Sequence, residues 1–333
     1  MDNHPVRIRD IAEELGLSTA TVSNVLHGKT GKVSDATIQR VQALLEERQY
    51  IPSMAGILLA RNSSRIIGVV INNHEKYEGH VITDTFISAS LDSLSTEIEK
   101  QGFFLMVKKA TDPEEIIRFA SMWNLEGLVL IGFCDEDYRF LRSHMRIPFV
   151  VYDGYCNCED GICNITIDNF DGGYQMGAYL KQLGHTRALC ISDNCVCVDK
   201  ERYEGFREGF CGGDLMLIPM KKADRMAFYR ENLKRFSDYT AIFAVSDYYA
   251  IELMQFLIQN GISVPEQLSI AVFDDTPMCQ MVSPSLTSVN QDVSARAAIA
   301  VDQLRALKEH RSTNSAITLP VTLIKRSSTA PIP

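Results

Sequence analysis

Between Ile8 and Leu26 the apolar residues recur at helical spacing. Ile8, Ile11, Ala12 and Leu15 mark one face of a short helix, and Val22, Val25 and Leu26 resume the period after Gly16-Leu17-Ser18. Gly16 can end the first helix, and Ser18 offers an N-cap oxygen to the second. Two short helices about a tight glycine-containing turn predict a helix-turn-helix, whose second helix can lie in a DNA major groove. After the polar loop His27 to Val33, Ser34 caps a third helix to about Gln49, with Ile38, Val41, Leu44 and Leu45 facing inward. Pro52 ends it at or before Ile51. The apolar stretch Met54 to Ala60 is too short to hold a helix alone in water. It is either a plain linker or a helix formed only against a partner, such as its copy in a second subunit or a DNA groove.

From Ile66 the pattern changes to continuous apolar runs alternating with helical periods. Ile66 to Ile71, Phe103 to Lys108, Gly127 to Ile131 and Phe149 to Tyr152 predict buried parallel strands, with helices over about Ile82 to Gln101 and Pro113 to Met122. A second round follows. Its strands are Ile165 to Asp168, Arg187 to Ile191, Ala241 to Val245, Leu268 to Phe273 and Val321 to Lys325. Its helices are Asp171 to Leu183, Lys200 to Phe210, Arg225 to Phe236, Asp247 to Asn260 and Ala295 to Glu309. Two successive α/β units predict two lobes with a cleft between them, and ligands of open α/β sheets sit beyond the carboxyl ends of the strands. That rule places Asn72 to Tyr77, Lys108 to Thr111, Phe133, Asp153 to Tyr155, Ser192 to Arg202, Ser246 to Tyr248, Asp274 and Asp275 at the cleft.

Charge refines the picture of the first segment. The 333 residues carry a formal net charge of -9, which excludes a protein basic over its whole surface. Residues 1–62 hold seven basic and seven acidic residues. DNA binding there leans on the placement of a few charges, on helix N-termini and on dimerisation. No run of 18 apolar residues and no leader pattern is present, so the expectation is an unprocessed, cytoplasmic protein with no membrane partner. The nine cysteines, an odd number, are expected as mostly reduced thiols.

Catalytic motifs are missing. Ile71-Asn72-Asn73 stands where a GxGxxG would follow the first strand, and there is no GxxxxGK[ST], G-x-S-x-G or H-E-x-x-H. Neither an enzyme nor a cofactor is expected. At the strand ends Asp153, Asp274 and Asp275 can accept hydrogen bonds from ligand hydroxyls, and Arg202 can donate a fork of them. The alternative role for each is a helix cap or a lobe-to-lobe salt bridge. Cys156, Cys158 and Cys163 form C-x-C-x4-C, and Cys195 and Cys197 form C-x-C after Cys190. Such thiolates can bind a soft metal ion or form a redox-sensitive disulfide, which supplies a second reading of the input signal.

The sequence resembles the LacI/GalR family of bacterial transcription regulators along nearly its whole length. The likeness is carried by residues 8–53, RIIGVV (65–70), residues 153–192, ERYEGFREGF (201–210), VPEQLSIAVFDDTP (264–277) and SPSLTSVNQD (283–292). It implies an α/β protein with an N-terminal helix-turn-helix domain and a two-lobed sensor like the periplasmic sugar-binding proteins. The divisions expected are a DNA-binding domain over 1–50, a hinge helix and linker over 51–64, an effector-binding and dimerisation domain over 65–326, and a flexible tail over 327–333. The resemblance places Thr19, Ala20 and Asn24 against base edges and Thr21 and Ser23 against the DNA backbone. It makes Ser53 to Ala60 the hinge helix, with Leu59 wedged into the minor groove. Asp153, Arg202, Ser246 and Asp274 match or neighbour effector contacts, and Asn73 and Tyr77 join them from the end of the first strand. The function implied is a repressor of pseudo-palindromic operators, released or engaged by a small molecule, a sugar or sugar derivative, in the cleft. No leucine heptad follows Lys325, so a homodimer is expected. A regulator of the same fold driven by metal or thiol oxidation is the alternative. A non-regulatory sugar-binding protein or carbohydrate enzyme is the alternative of another class.

Overall fold

The computed structural model describes residues 6–51, 63–156 and 161–332. It separates into two compact units that divide between Ser64 and Arg65.

The first unit is three helices, α1 (Ile8–Leu15), α2 (Thr19–Leu26) and α3 (Asp35–Glu47). Gly16 ends α1 in the left-handed region at φ 65°, and its position lets the chain turn back at once. The Ser18 hydroxyl accepts from the Thr21 amide at 3.1 Å and starts α2. Ser34 does the same for α3 through Thr37. Ile11, Ala12, Val22, Val25, Val41 and Leu44 meet in one small core. So small a core leaves each cap a large share of the stability. Ser18→Ala is expected to destabilise this unit by about 1 kcal/mol, read as faster amide exchange in α1 to α3 with the sensor unchanged.

The second unit carries two six-stranded sheets. The first orders its strands β11-β5-β4-β3-β1-β2. These are β1 (Ile66–Asn72), β2 (Phe104–Ala110), β3 (Gly127–Ile131), β4 (Phe149–Tyr152), β5 (Cys163–Ile167) and, from far along the chain, β11 (Ala316–Leu319). All its pairings are parallel. Its helices are α4 (Thr85–Lys100), α5 (Pro113–Met122), α6 (Asp135–His144) and α12 (Val293–Lys308). The second sheet orders β12-β10-β9-β8-β6-β7 and is parallel except where β12 joins β10. Its strands are β6 (Ala188–Ser192), β7 (Asp214–Leu217), β8 (Ala241–Ala244), β9 (Ser269–Asp274), β10 (Thr287–Asn290) and β12 (Thr322–Ile324). Its helices are α7 (Asn169–Gln182), α8 (Cys197–Phe210), α9 (Lys222–Phe236), α10 (Asp247–Gln259) and the short α11 (Met278–Met281). β1, β3, β4, β6, β8 and β9 are almost wholly buried, as strands covered by helices on both faces must be. The chain passes between lobes three times, after β5, after β10 and between β11 and β12.

Four glycines set the spacing of α7 and α8. A Cβ on Gly173 or Gly177 would lie 2.0 or 2.3 Å from the carbonyl oxygen of Arg202 or Phe206. One on Gly205 or Gly209 would lie 2.0 or 2.2 Å from that of Phe170 or Tyr174. The helices therefore touch backbone to backbone, through i, i+4 glycine pairs on both.

The structure corrects several expectations. The helix placed from Ile82 begins at Thr85, because Asp84 caps it by accepting from the Ile87 amide at 3.0 Å. β7, β10 and β11 fall in stretches where no strand is expected; β7 and β11 are the outermost strands of their sheets and have little apolar patterning. The tail expected to be flexible is held along residues 327–332. Ser328 is fully buried and bonds through its backbone to Ile270 and Ser285, and the Ile332 amide donates to Leu183. The hinge segment, with Leu59, and Cys158 lie outside the described residues.

Candidate functional site

The two lobes enclose a cavity of about 550 Å³ at the carboxyl ends of their strands. Tyr77, Asp153, Arg202, Ser246 and Asp274 line it, as the strand-end rule expects. Asn73 is not among the lining residues. Its neighbour Asn72 is, with the amide nitrogen donating to the Gly132 carbonyl at 2.8 Å. Lys108 to Thr111 and Phe133 also stand away from the cavity. Sequence reasoning missed Asp84, because it fell inside a presumed helix. It named the segments holding Lys76, Asp193 and Asp199 without singling out those side chains, all three of which reach the cavity.

The floor is a chain of charge and amide groups drawn from both lobes. Asp153 follows β4 and Asp274 ends β9, with φ of 57° and 102°, values non-glycine residues seldom adopt. Arg202 on α8 is buried and donates to Asn169 at 2.9 Å, to the Val245 carbonyl at 2.7 Å and to Asp274 at 3.2 Å. Its guanidinium also lies 3.9 Å from the centre of the Phe273 ring. Gln291, at the second crossing, donates to Asp274 at 2.6 Å and accepts from Arg296 at 2.5 Å. Arg296, on α12 and fully buried, pairs with Asp153 at 2.8 Å. One continuous polar chain thus joins Arg202, Asp274, Gln291, Arg296 and Asp153.

The walls are acidic. Burial pushes the carboxyls of the lining Asp84 and Asp199, and of the fully buried Asp247 outside the lining, above their ordinary value. Asp274 is pushed up to about 7: burial dominates, Arg202 opposes it, and Asp247, Asp84 and Asp153 add to it. The folded protein therefore keeps a proton on Asp274 that the unfolded chain gives up from about pH 4. The stability tied to this group is present at low pH and falls as pH rises towards 7. Asp274→Asn is expected to flatten the slope of unfolding free energy between pH 5 and 7, measured by urea denaturation; an unchanged slope refutes the assignment.

The described cysteines differ in exposure. Cys163 and Cys190 are core residues, Cys156 and Cys195 are half-buried, and Cys197 is exposed at the start of α8. Burial, with Asp199 and Glu201, pushes the Cys197 thiol up, which lowers its thiolate fraction. Among the described residues no group of three His, Cys, Asp or Glu side chains is arranged to hold a metal ion.

In the first unit Thr19, Ala20 and Asn24 are exposed on α2, while Thr21 and Ser23 are half-buried. Val22 and Val25 on the opposite face close the core. The side chains expected to meet DNA thus share the face that the core leaves free.

Residues 7–53 match the family profile described as bacterial regulatory proteins, lacI family. Residues 178–329 match that of a periplasmic binding protein-like domain. The HTH-type transcriptional repressor PurR of Vibrio parahaemolyticus is 29% identical over 301 residues, covering 85% of this chain and 86% of that protein. The HTH-type transcriptional regulator DegA of Bacillus subtilis is 26% identical, with 98% of each chain covered. Among solved structures, a lac repressor dimer bound to operator and the anti-inducer ONPF superposes with a TM-score of 0.83 at 22% identity, over 98% of this chain and 100% of that one. A LacI family regulator from Enterococcus faecium with bound ribose gives 0.69 at 25% identity, over 80% and 100%.

Proposed function

This chain belongs to the LacI/GalR family of bacterial transcription regulators, and on that premise we propose that it is a homodimeric repressor whose affinity for a pseudo-palindromic operator is set by a small polar molecule, a sugar or sugar derivative. The cavity carries this reading: a space of about 550 Å³ between two lobes, with Asp153, Arg202, Ser246 and Asp274 on its surface, suits a hydroxyl-rich molecule. A ligand that binds one lobe arrangement more tightly shifts the population towards it, and operator affinity changes by the same coupling free energy. Binding and relay suffice for this, and no bond is made or broken.

On the DNA side, Asn24 reads a base edge through its amide, Ala20 offers a methyl contact, and Thr19 completes the reading face. Thr21 and Ser23 bond the backbone, and Leu59 wedges into the operator centre. Dimerisation draws support from the edge strand β2, where Phe104 and Val107 are 59% and 38% exposed. Exposed apolar side chains at an open sheet edge favour a covering partner, and Lys108 and Lys109 follow them on the strand. No helix of the described residues is long and apolar enough to cross a membrane.

The test is selection of duplexes from a random pool by the full chain, followed by titration at fixed salt. The expected result is a two-fold symmetric site, with Asn24→Ala weakening each half-site by about 1–3 kcal/mol. Recovery of no preferred sequence would refute the reading.

A further inference from the structure

The interlobe cavity, which the reading above takes as the effector site, holds more negative charge than its own cations neutralise. On the floor Asp274 pairs with Arg202 and Asp153 with Arg296. On the walls Asp84, Asp193 and Asp199 have no ion-pair partner within 4.0 Å among the contacts of the described residues. Their bonds come from neutral donors. Asp84 accepts from the Ile87 amide, Asp193 from the Tyr249 hydroxyl at 2.7 Å, and Asn194 donates at 2.6 Å to both Asp193 and Asp199. Neutral donors satisfy lone pairs without cancelling charge, and a carboxylate has room for about four.

One ammonium already stands at this wall. Lys76, from the turn after β1, lies over the Tyr77 ring at 5.1 Å. Burial works against its charge, but Tyr77, Asp193, Asp199 and Asp84 outweigh that and hold the proton more firmly than usual. This lysine stands among the three wall carboxylates, and Arg202 also acts on Asp199.

We propose that the ligand of this cavity carries a protonated amine as well as hydroxyl groups, as an amino sugar or other amino polyol does. Its ammonium lies between Asp84 of the first lobe and Asp193 and Asp199 of the second, and its hydroxyls meet Arg202, Ser246 and the floor aspartates. A neutral sugar of the same shape leaves the wall charges facing one another across a closing cleft. A cation removes that repulsion and so binds the closed arrangement preferentially. The wall carboxylates surround a molecule-sized space and do not converge on one point, which suits an organic amine better than a bare ion.

The experiment is calorimetry and thermal shift of the full chain with matched probes: glucosamine, glucose and N-acetylglucosamine, the galactose series, and 1-amino-1-deoxyribitol with ribitol. The expected result is at least one amine binding ten-fold or more tighter than its neutral and acetylated counterparts. Asp84→Asn keeps the helix cap, since Asn caps as well as Asp. It should leave the ligand-free melting temperature unchanged or higher while cutting that preference several-fold. Lys76→Met should tighten amine binding. Equal or tighter binding of the neutral member overturns the proposal and leaves the effector-site reading standing. Binding of no neutral or aminated probe overturns both.

Discussion

Gly173→Ala is expected to lower the melting temperature of the sensor by about 10 °C, or to prevent its folding. The added carbon would stand 2.0 Å from the Arg202 carbonyl oxygen and 2.8 Å from the Phe206 amide nitrogen. Both are backbone atoms of α8, so no side chain can swing aside. Relief requires α8 to move away from α7 along its length, against Gly177, Gly205 and Gly209, which are fitted just as closely. Overpacking costs of about 1–3 kcal/mol apply where side chains can adjust; a backbone obstacle belongs at the top of that range or above. At roughly 2–4 °C per kcal/mol for a unit of this size, the shift is large. Arg202 and Asp199 ride on α8, so any variant that folds should also bind effector poorly. A melting temperature within 2 °C of the parent would show that the helices are not in backbone contact.

Arg296→Met should destabilise the sensor by about 3–5 kcal/mol, the range for removing one partner of a buried pair. Arg296 is fully buried, with its guanidinium 5.2 Å from the Tyr152 ring and 5.7 Å from the Phe86 ring. Methionine can occupy much of that volume, but it leaves Asp153 without its ion and Gln291 without its donor. The double variant Arg296→Met with Asp153→Asn removes both charges and should recover a substantial part of the loss. Urea denaturation of the two single variants and the double gives the coupling energy. A coupling near zero would mean that the pair contributes little, as exposed pairs do.

What could be read in the sequence follows physical scale. Local devices were legible: Ser18 and Ser34 cap the helices they precede, Gly16 turns the chain, and Ile66 to Ile71 forms a strand buried along its length. Asp153 and Asp274 were legible because a strand's end lies where a parallel sheet binds its ligand. Features that depend on a distant partner were not. β7 and β11 are strands only because a sheet edge receives them, and their own residues show little period. The residues of the chain's end are held by Ile270 and Leu183, which nothing near them announces. Asp84 read as one more residue of an amphipathic helix, although capping removed it from the helix and turned it to the cavity. The paired glycines 173/177 and 205/209 went unread, because their spacing acquires a meaning only against the other helix. Arg296 sits in a helix of ordinary amphipathic pattern, and only its zero exposure marks it.

The three crossings between lobes have a consequence for biosynthesis. β5 takes β11 as its outer neighbour, and α12 packs on the β3 and β4 side of the same sheet, so the first lobe depends on residues 293–319. A ribosome making this chain releases β1 to β5 long before those residues exist. The nascent first lobe then presents one face without α12 and a bare parallel edge along β5, the kind of surface that invites pairing with other chains. Neither lobe can be completed before residues 293–324 have emerged, so both should become protease-resistant together once that stretch has left the ribosome.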